Sequence, residues 1–176
     1  MKWIIYIIVI AFILILDQSV FRLIHFGAFT PNLLLLFALA SVWSFNNFDF
    51  LIVGLLGGIW QEIAFGLPVG SISVAIILVA SLTYIVLNRW LFSEKPWQYF
   101  VAAVAIGTAI LSLWGWLYTD VLHTFNWSAL SISFQSVLRG VLPALFMNLL
   151  LVYPVFALVE VFARGLANSS RSKLKL

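Results

Sequence analysis

Apolar residues along this chain come in long runs, and short polar or Pro/Gly-containing breaks cut those runs into six segments. The first covers about 3–20, with Ile4 to Leu16 continuously apolar, and the others cover about 31–45, 48–65, 71–90, 97–118 and 137–163. A helix rises about 1.5 Å per residue, so crossing a hydrocarbon core of about 30 Å takes about 20 mostly apolar residues. The pattern predicts an all-α integral membrane protein, a single domain over residues 1–167 built as a six-helix transmembrane bundle. The second and third segments fall short of a comfortable crossing. They read either as two short helices or as one re-entrant pair.

Composition narrows the class further. Hydrophobic residues make up 64% of the chain and charged residues 9%, with a mean hydropathy of +1.15. A soluble domain carries about 25% charged residues. Too few charges are present to coat a water-facing surface, which excludes a soluble enzyme domain, and so rich an apolar content excludes disorder. The absence of cysteine removes disulfides and thiolate metal sites.

The basic residues are distributed unevenly. With six crossings and the N-terminus inside, Lys2, Arg89, Lys95, Arg164, Arg171, Lys173 and Lys175 fall on the inner side and only Arg22 and Arg139 on the outer. That is the positive-inside bias, and it puts both termini in the cytoplasm. It also accounts for the net charge of +3 without nucleic acid. No small-x-small cleavage site follows the first apolar run, so that run reads as an uncleaved helix. Residues 168–176 form a basic cytoplasmic tail, expected to be irregular and to touch anionic headgroups.

Polar residues inside the apolar segments are the candidate functional groups. In the third segment Gly54, Gly58, Glu62 and Gly66 recur every four residues, with Gly57 beside them. In the sixth, Gly140, Ala144 and Asn148 repeat that step. Small residues at this spacing let another backbone approach closely, either within the bundle or from a partner helix. The Asn148 amide is placed to hydrogen-bond across helices, and Pro143 and Pro154 are expected to bend the last helix. Glu62 needs pairing, hydration or protonation at its depth. The expected arrangement is a buried ion pair with Arg139, with Arg22 as second choice. A proton or cation relay is the alternative for Glu62. Asp17, near the outer end of the first segment, is expected to reach headgroup water.

No catalytic, cofactor or metal site assembles. His25 and His123 are expected in separate outer loops without a carboxylate at ligand spacing, and there is no Walker-type loop, Gly-x-Ser-x-Gly elbow or His-Glu-x-x-His. The expected protein is not an enzyme.

The stretch Gly57-Gly58-Ile59-Trp60-Gln61-Glu62-Ile63-Ala64-Phe65-Gly66-Leu67-Pro68-Val69-Gly70 resembles the central signature of the bacterial rod-shape-determining MreD family. In that family a Gly-rich helix carries an acidic residue followed by Gly, Pro and Gly, which here fall on Gly66, Pro68 and Gly70. The family usually has Asp where this chain has Glu62. Pro31-Asn32-Leu33-Leu34-Leu35-Leu36 resembles the family's Pro-Asp-Leu-Leu start of the second helix, and Asn148 followed by Pro154 resembles its last helix.

The resemblance implies a non-enzymatic scaffold of the cell-elongation (rod) complex in the bacterial inner membrane. Such a subunit binds the bitopic partner MreC and, through it, acts with the glycosyltransferase and transpeptidase that extend peptidoglycan under the actin-like MreB. It implies no cofactor, and leaves a homo-oligomer open. The family also resembles in fold the substrate-binding components of energy-coupling-factor transporters. That kinship supplies the rival reading, a vitamin-type carrier whose pocket would draw on Glu62, Arg139, His123 and Asn126.

Overall fold

The segment Leu33–Phe45 is helical and has no exposed face, because every side chain from Leu33 to Trp43 is buried. The computed structural model describes residues 2–23, 31–45, 49–90, 97–125 and 133–172. Among these residues there are no strands and six helices: α1 (Lys2–Leu23), α2 (Leu33–Phe45), α3 (Asp49–Phe65), α4 (Ser73–Trp90), α5 (Trp97–Thr124) and α6 (Phe134–Ser172). They coincide with the six apolar segments. Helix α2 packs against all five of the others and forms the axis of the bundle.

Successive helices run antiparallel. Near the start of α2, Leu34 lies against Gly57 towards the end of α3, and Gly54 and Gly58 meet Ile77 and Ser73 of α4 in reverse order. Likewise Thr108 of α5 meets Asn148 of α6, while Trp97 meets Phe156 and Trp116 meets Phe134. This up-and-down winding brings the ends of α1, α3 and α5 together with the starts of α2, α4 and α6.

The two ends of the bundle differ in chemistry. At the end where α2 finishes and α5 begins, aromatic rings pack together: Trp43 on Phe100 at 5.5 Å, Trp97 on Phe100 at 5.4 Å, and Phe156 on both Trp97 and Phe100 at 5.2 and 5.1 Å. Tilted ring pairs of this kind contribute about 0.5–1.5 kcal/mol each beyond area burial. The opposite end holds most of the buried polar groups.

Among the described residues many large apolar side chains face outward. Leu138, Leu142, Phe146, Leu150, Tyr153 and Val161 form an exposed ridge along α6, and Ile106, Leu113 and Leu117 are exposed on α5. The stretches Trp97–Thr124 and Phe134–Val161 are long and apolar enough to cross a membrane. Large apolar side chains turned outward on helices of that length point to membrane association.

Two boundaries differ from the sequence expectation. Helix α5 continues to Thr124, shortening the connection to α6. Helix α6 runs unbroken through Pro143 and Pro154 and on to Ser172, so the tail expected from residue 168 begins inside a helix. A single Gly165 costs a helix only about 1 kcal/mol, and no proline follows it.

Candidate functional site

The joint between α3 and α4 occupies the polar end. Helix α3 stops in a Schellman turn: Gly66 N–H donates to Ile63 O at 3.3 Å, and Leu67 N–H donates to Glu62 O at 2.8 Å. Gly66 carries the left-handed φ of +64° that this turn needs and that glycine adopts without strain. Pro68 follows immediately, where a helix cannot resume. The chain then turns through Gly70, at φ +99°, into α4.

The first intrahelical bond of α4 runs from Ile76 N–H to Ile72 O at 2.9 Å, which makes Ile72 the cap residue. Isoleucine has no side-chain acceptor and is among the poorest caps. Glu62 supplies the missing acceptor from α3. Its Oε1 accepts from Ile72 N–H and Ser73 N–H at 2.7 Å each and from Ser73 Oγ at 2.9 Å, and its Oε2 accepts from Gly70 N–H at 3.0 Å. The side chain is fully buried in an all-donor surrounding that suits an acceptor-only carboxylate at a helix N-terminus. Two carbonyl groups of the loop are met from α5. Trp114 Nε1 donates to Gly70 O at 3.2 Å, and the Tyr118 hydroxyl donates to Val69 O.

Glycines seat this joint. A Cβ at Gly58 would fall 2.4 Å from Ser73 Cα, and one at Gly57 2.3 Å from Leu34 Cδ1. At Gly54 the nearest atom is Ile77 Cγ1 at 3.1 Å. The small-residue stripe of α3 is used inside the bundle, against α2 and α4.

A second joint ties α2, α5 and α6. Asn32 caps α2 with its Oδ1, which accepts from Leu35 N–H at 2.8 Å. Asn32 N–H donates to Asn148 Oδ1 at 2.8 Å, and Asn148 Nδ2 donates to Thr108 Oγ1 at 2.9 Å. Asn148 is 1% exposed, so its face of α6, with Ala144 and Gly140 one and two turns before it, is turned inward.

The expected Glu62–Arg139 pair is not what the structure builds. Glu62 gives its oxygens to the start of α4, and Arg139 is exposed on α6. The positive end of a helix stands where a basic side chain was expected. The Arg22 side chain, His25 and Asn126 lie outside the described residues. Asp17 also departs from expectation. It is 6% exposed and accepts from Gln61 Nε2 at 2.7 Å, so it faces α3 and not headgroup water. Of the described residues of the rival carrier pocket, His123 and Arg139 are exposed while Glu62 is enclosed.

Sequence reasoning did not single out Gln61, Ser73, Thr108, Trp114 or Tyr118. The four-residue spacing of Trp114 and Tyr118 was the one available signal, because it puts both rings on one face of α5. Compared with protein-family models, with curated proteins and with solved structures, the chain finds no match in any of the three.

Proposed function

We propose that this chain is a non-enzymatic, multi-pass scaffold of the bacterial inner membrane, an MreD-like subunit of the cell-elongation complex that binds an MreC-like bitopic partner. In this reading all six helices cross or enter the membrane with both termini cytoplasmic, in a fold akin to the energy-coupling-factor binding components. Helix α2, about 20 Å long at 1.5 Å per residue, needs no full crossing because its neighbours shield it from lipid.

The observation that carries the reading is the use made of residues 57–70. Gly57 and Gly58 allow close helix contact, Glu62 caps α4, Gly66 ends α3 and Gly70 turns the loop. The segment that resembles the family signature is spent on holding two helices together, which favours a rigid binding platform over turnover of a substrate. The small-residue face of α3 is filled from within, and that of α6 is turned inward at Asn148. The partner surface therefore moves to the large-residue ridge of α6, Leu138 to Tyr153.

The test is depletion and recovery. In a rod-shaped bacterium carrying this gene, depletion is expected to give rounded cells, and the tagged protein to recover an MreC-like single-pass protein from native membranes. Normal rods after depletion, or a stoichiometric small molecule on the purified protein, would favour the carrier reading instead.

A further inference from the structure

We propose that Asp17 and Gln61 form a site for one small monovalent cation, a proton or a sodium ion, which fixes α1 on the bundle. Helix α1 reaches α2 and α3 through a narrow stripe of buried residues, Ile10, Ile13, Leu14 and Asp17. Asp17 is the last of these along the chain. Its Oδ2 accepts from Gln61 Nε2 at 2.7 Å, and the Leu33 backbone at the start of α2 lies beside the carboxyl group. The other oxygens of the bonded pair, Asp17 Oδ1 and Gln61 Oε1, are buried without a hydrogen-bond partner. A third such oxygen, Ser71 Oγ, lies in the loop that follows α3.

The contrast with Glu62 decides the chemistry. Glu62 meets four donors, whereas the Asp17–Gln61 pair has two acceptor oxygens left over and nothing donating to them. A buried unmatched acceptor costs about 1–3 kcal/mol, and more for a charged group. Two unmatched buried acceptors on one bonded pair call for positive charge. Helix α2 contains no charged residue, and the acidic residues of α3 other than Gln61's neighbour Glu62 reduce to Asp49 at its far end. On α1 itself Lys2 stands at the opposite end, and Arg22, whose side chain lies outside the described residues, comes five residues after Asp17. A proton on Asp17 Oδ1 turns one unmatched acceptor into a donor and removes the charge. Sodium suits the same two oxygens, because carboxylate and amide oxygens are hard ligands.

The full chain in lipid nanodiscs tests this with two measurements. Melting in sodium chloride is compared with choline chloride at equal ionic strength, and infrared spectra are searched for a protonated carboxyl band at neutral pH. For a sodium site the melting temperature rises with the logarithm of sodium concentration. For a proton site the carboxyl band is present and Asp17→Asn removes it. In both cases Asp17→Asn melts independently of sodium and no lower than the parent in choline. Gln61→Glu, which adds a carboxylate, should enlarge the sodium or pH dependence. A parent protein with neither sodium dependence nor a carboxyl band overturns the proposal, since the charge would then be balanced from within the chain, by Arg22 for example. An unchanged dependence in Gln61→Glu also counts against it.

Discussion

Ser73 donates to Glu62 Oε1 twice, from its backbone N–H at 2.7 Å and from its hydroxyl at 2.9 Å, although the two residues belong to different helices. The same Ser73 backbone fills the space left by Gly58, one turn before Glu62 on α3. Close approach and capping are therefore one device. Without the glycine the carboxylate would stand too far from the start of α4, and without the carboxylate the approaching N–H groups would be buried unpaired.

Glu62→Gln keeps the size of the side chain but replaces one acceptor oxygen by a donor facing donors. Hydrogen bonds to charged groups contribute about 1.5–3 kcal/mol, and a loss of that order is expected in the stability of the detergent-solubilised protein. Glu62→Ala should cost more, because the Gly70, Ile72 and Ser73 N–H groups are then left without an acceptor. Denaturant titration followed by tryptophan fluorescence measures the order. Equal stability of all three proteins would show that the cap is dispensable.

The glycines give a graded series. Gly58→Ala places a methyl group 2.4 Å from backbone that cannot move alone, so it should be the most damaging. Gly57→Ala meets only the tip of Leu34 and should cost less. A methyl group added at Gly115, within α5, would have no neighbour inside 4 Å. Gly115→Ala should therefore be neutral or stabilise by up to about 1 kcal/mol. Melting temperatures in one detergent should follow that order.

Asn148 joins three helices, and its removal tests the second joint. Asn148→Leu leaves Asn32 N–H and the Thr108 hydroxyl without their partner and should destabilise by about 1–2 kcal/mol, the range for polar contacts between membrane helices. Asn32→Asp should be near neutral, since Asp and Asn cap a helix equally well, whereas Asn32→Ala should cost about 1 kcal/mol. Hydrogen exchange at Leu35 N–H, which bonds the Asn32 side chain, reports the cap directly.

Hydropathy alone located the six helices, because unbroken apolar runs leave few other places for helix ends. The Gly stripe of α3 and the inward amide of Asn148 were likewise legible, since small and amide residues amid apolar ones need close neighbours. The partner of Glu62 was not. Charge counting looks for a basic side chain, but the positive group is a helix N-terminus, which has no letter of its own in the sequence. Asp17 was misread for a related reason. Its place near the end of an apolar run suggests water, while its rotation about α1, in phase with Ile10, Ile13 and Leu14, turns it inward.

The ridge of α6 offers the last test, and it separates partner binding from folding. Leu142 is 71% exposed and Phe146 66% exposed, one turn apart and on the face opposite Asn148. Truncating both to Ala removes no contact that the bundle depends on, so stability should change by only about 0.5 kcal/mol per site, as for other surface substitutions. Under the scaffold reading, recovery of the single-pass partner should fall severalfold, because truncating both side chains removes van der Waals packing, one of the forces that hold lipid-embedded helices together. Gly58→Ala should instead lower stability and partner recovery together. Parent-level recovery by the Leu142/Phe146 variant, with normal melting, would rule out this ridge as the contact and redirect the search to the exposed faces of α1 and α5.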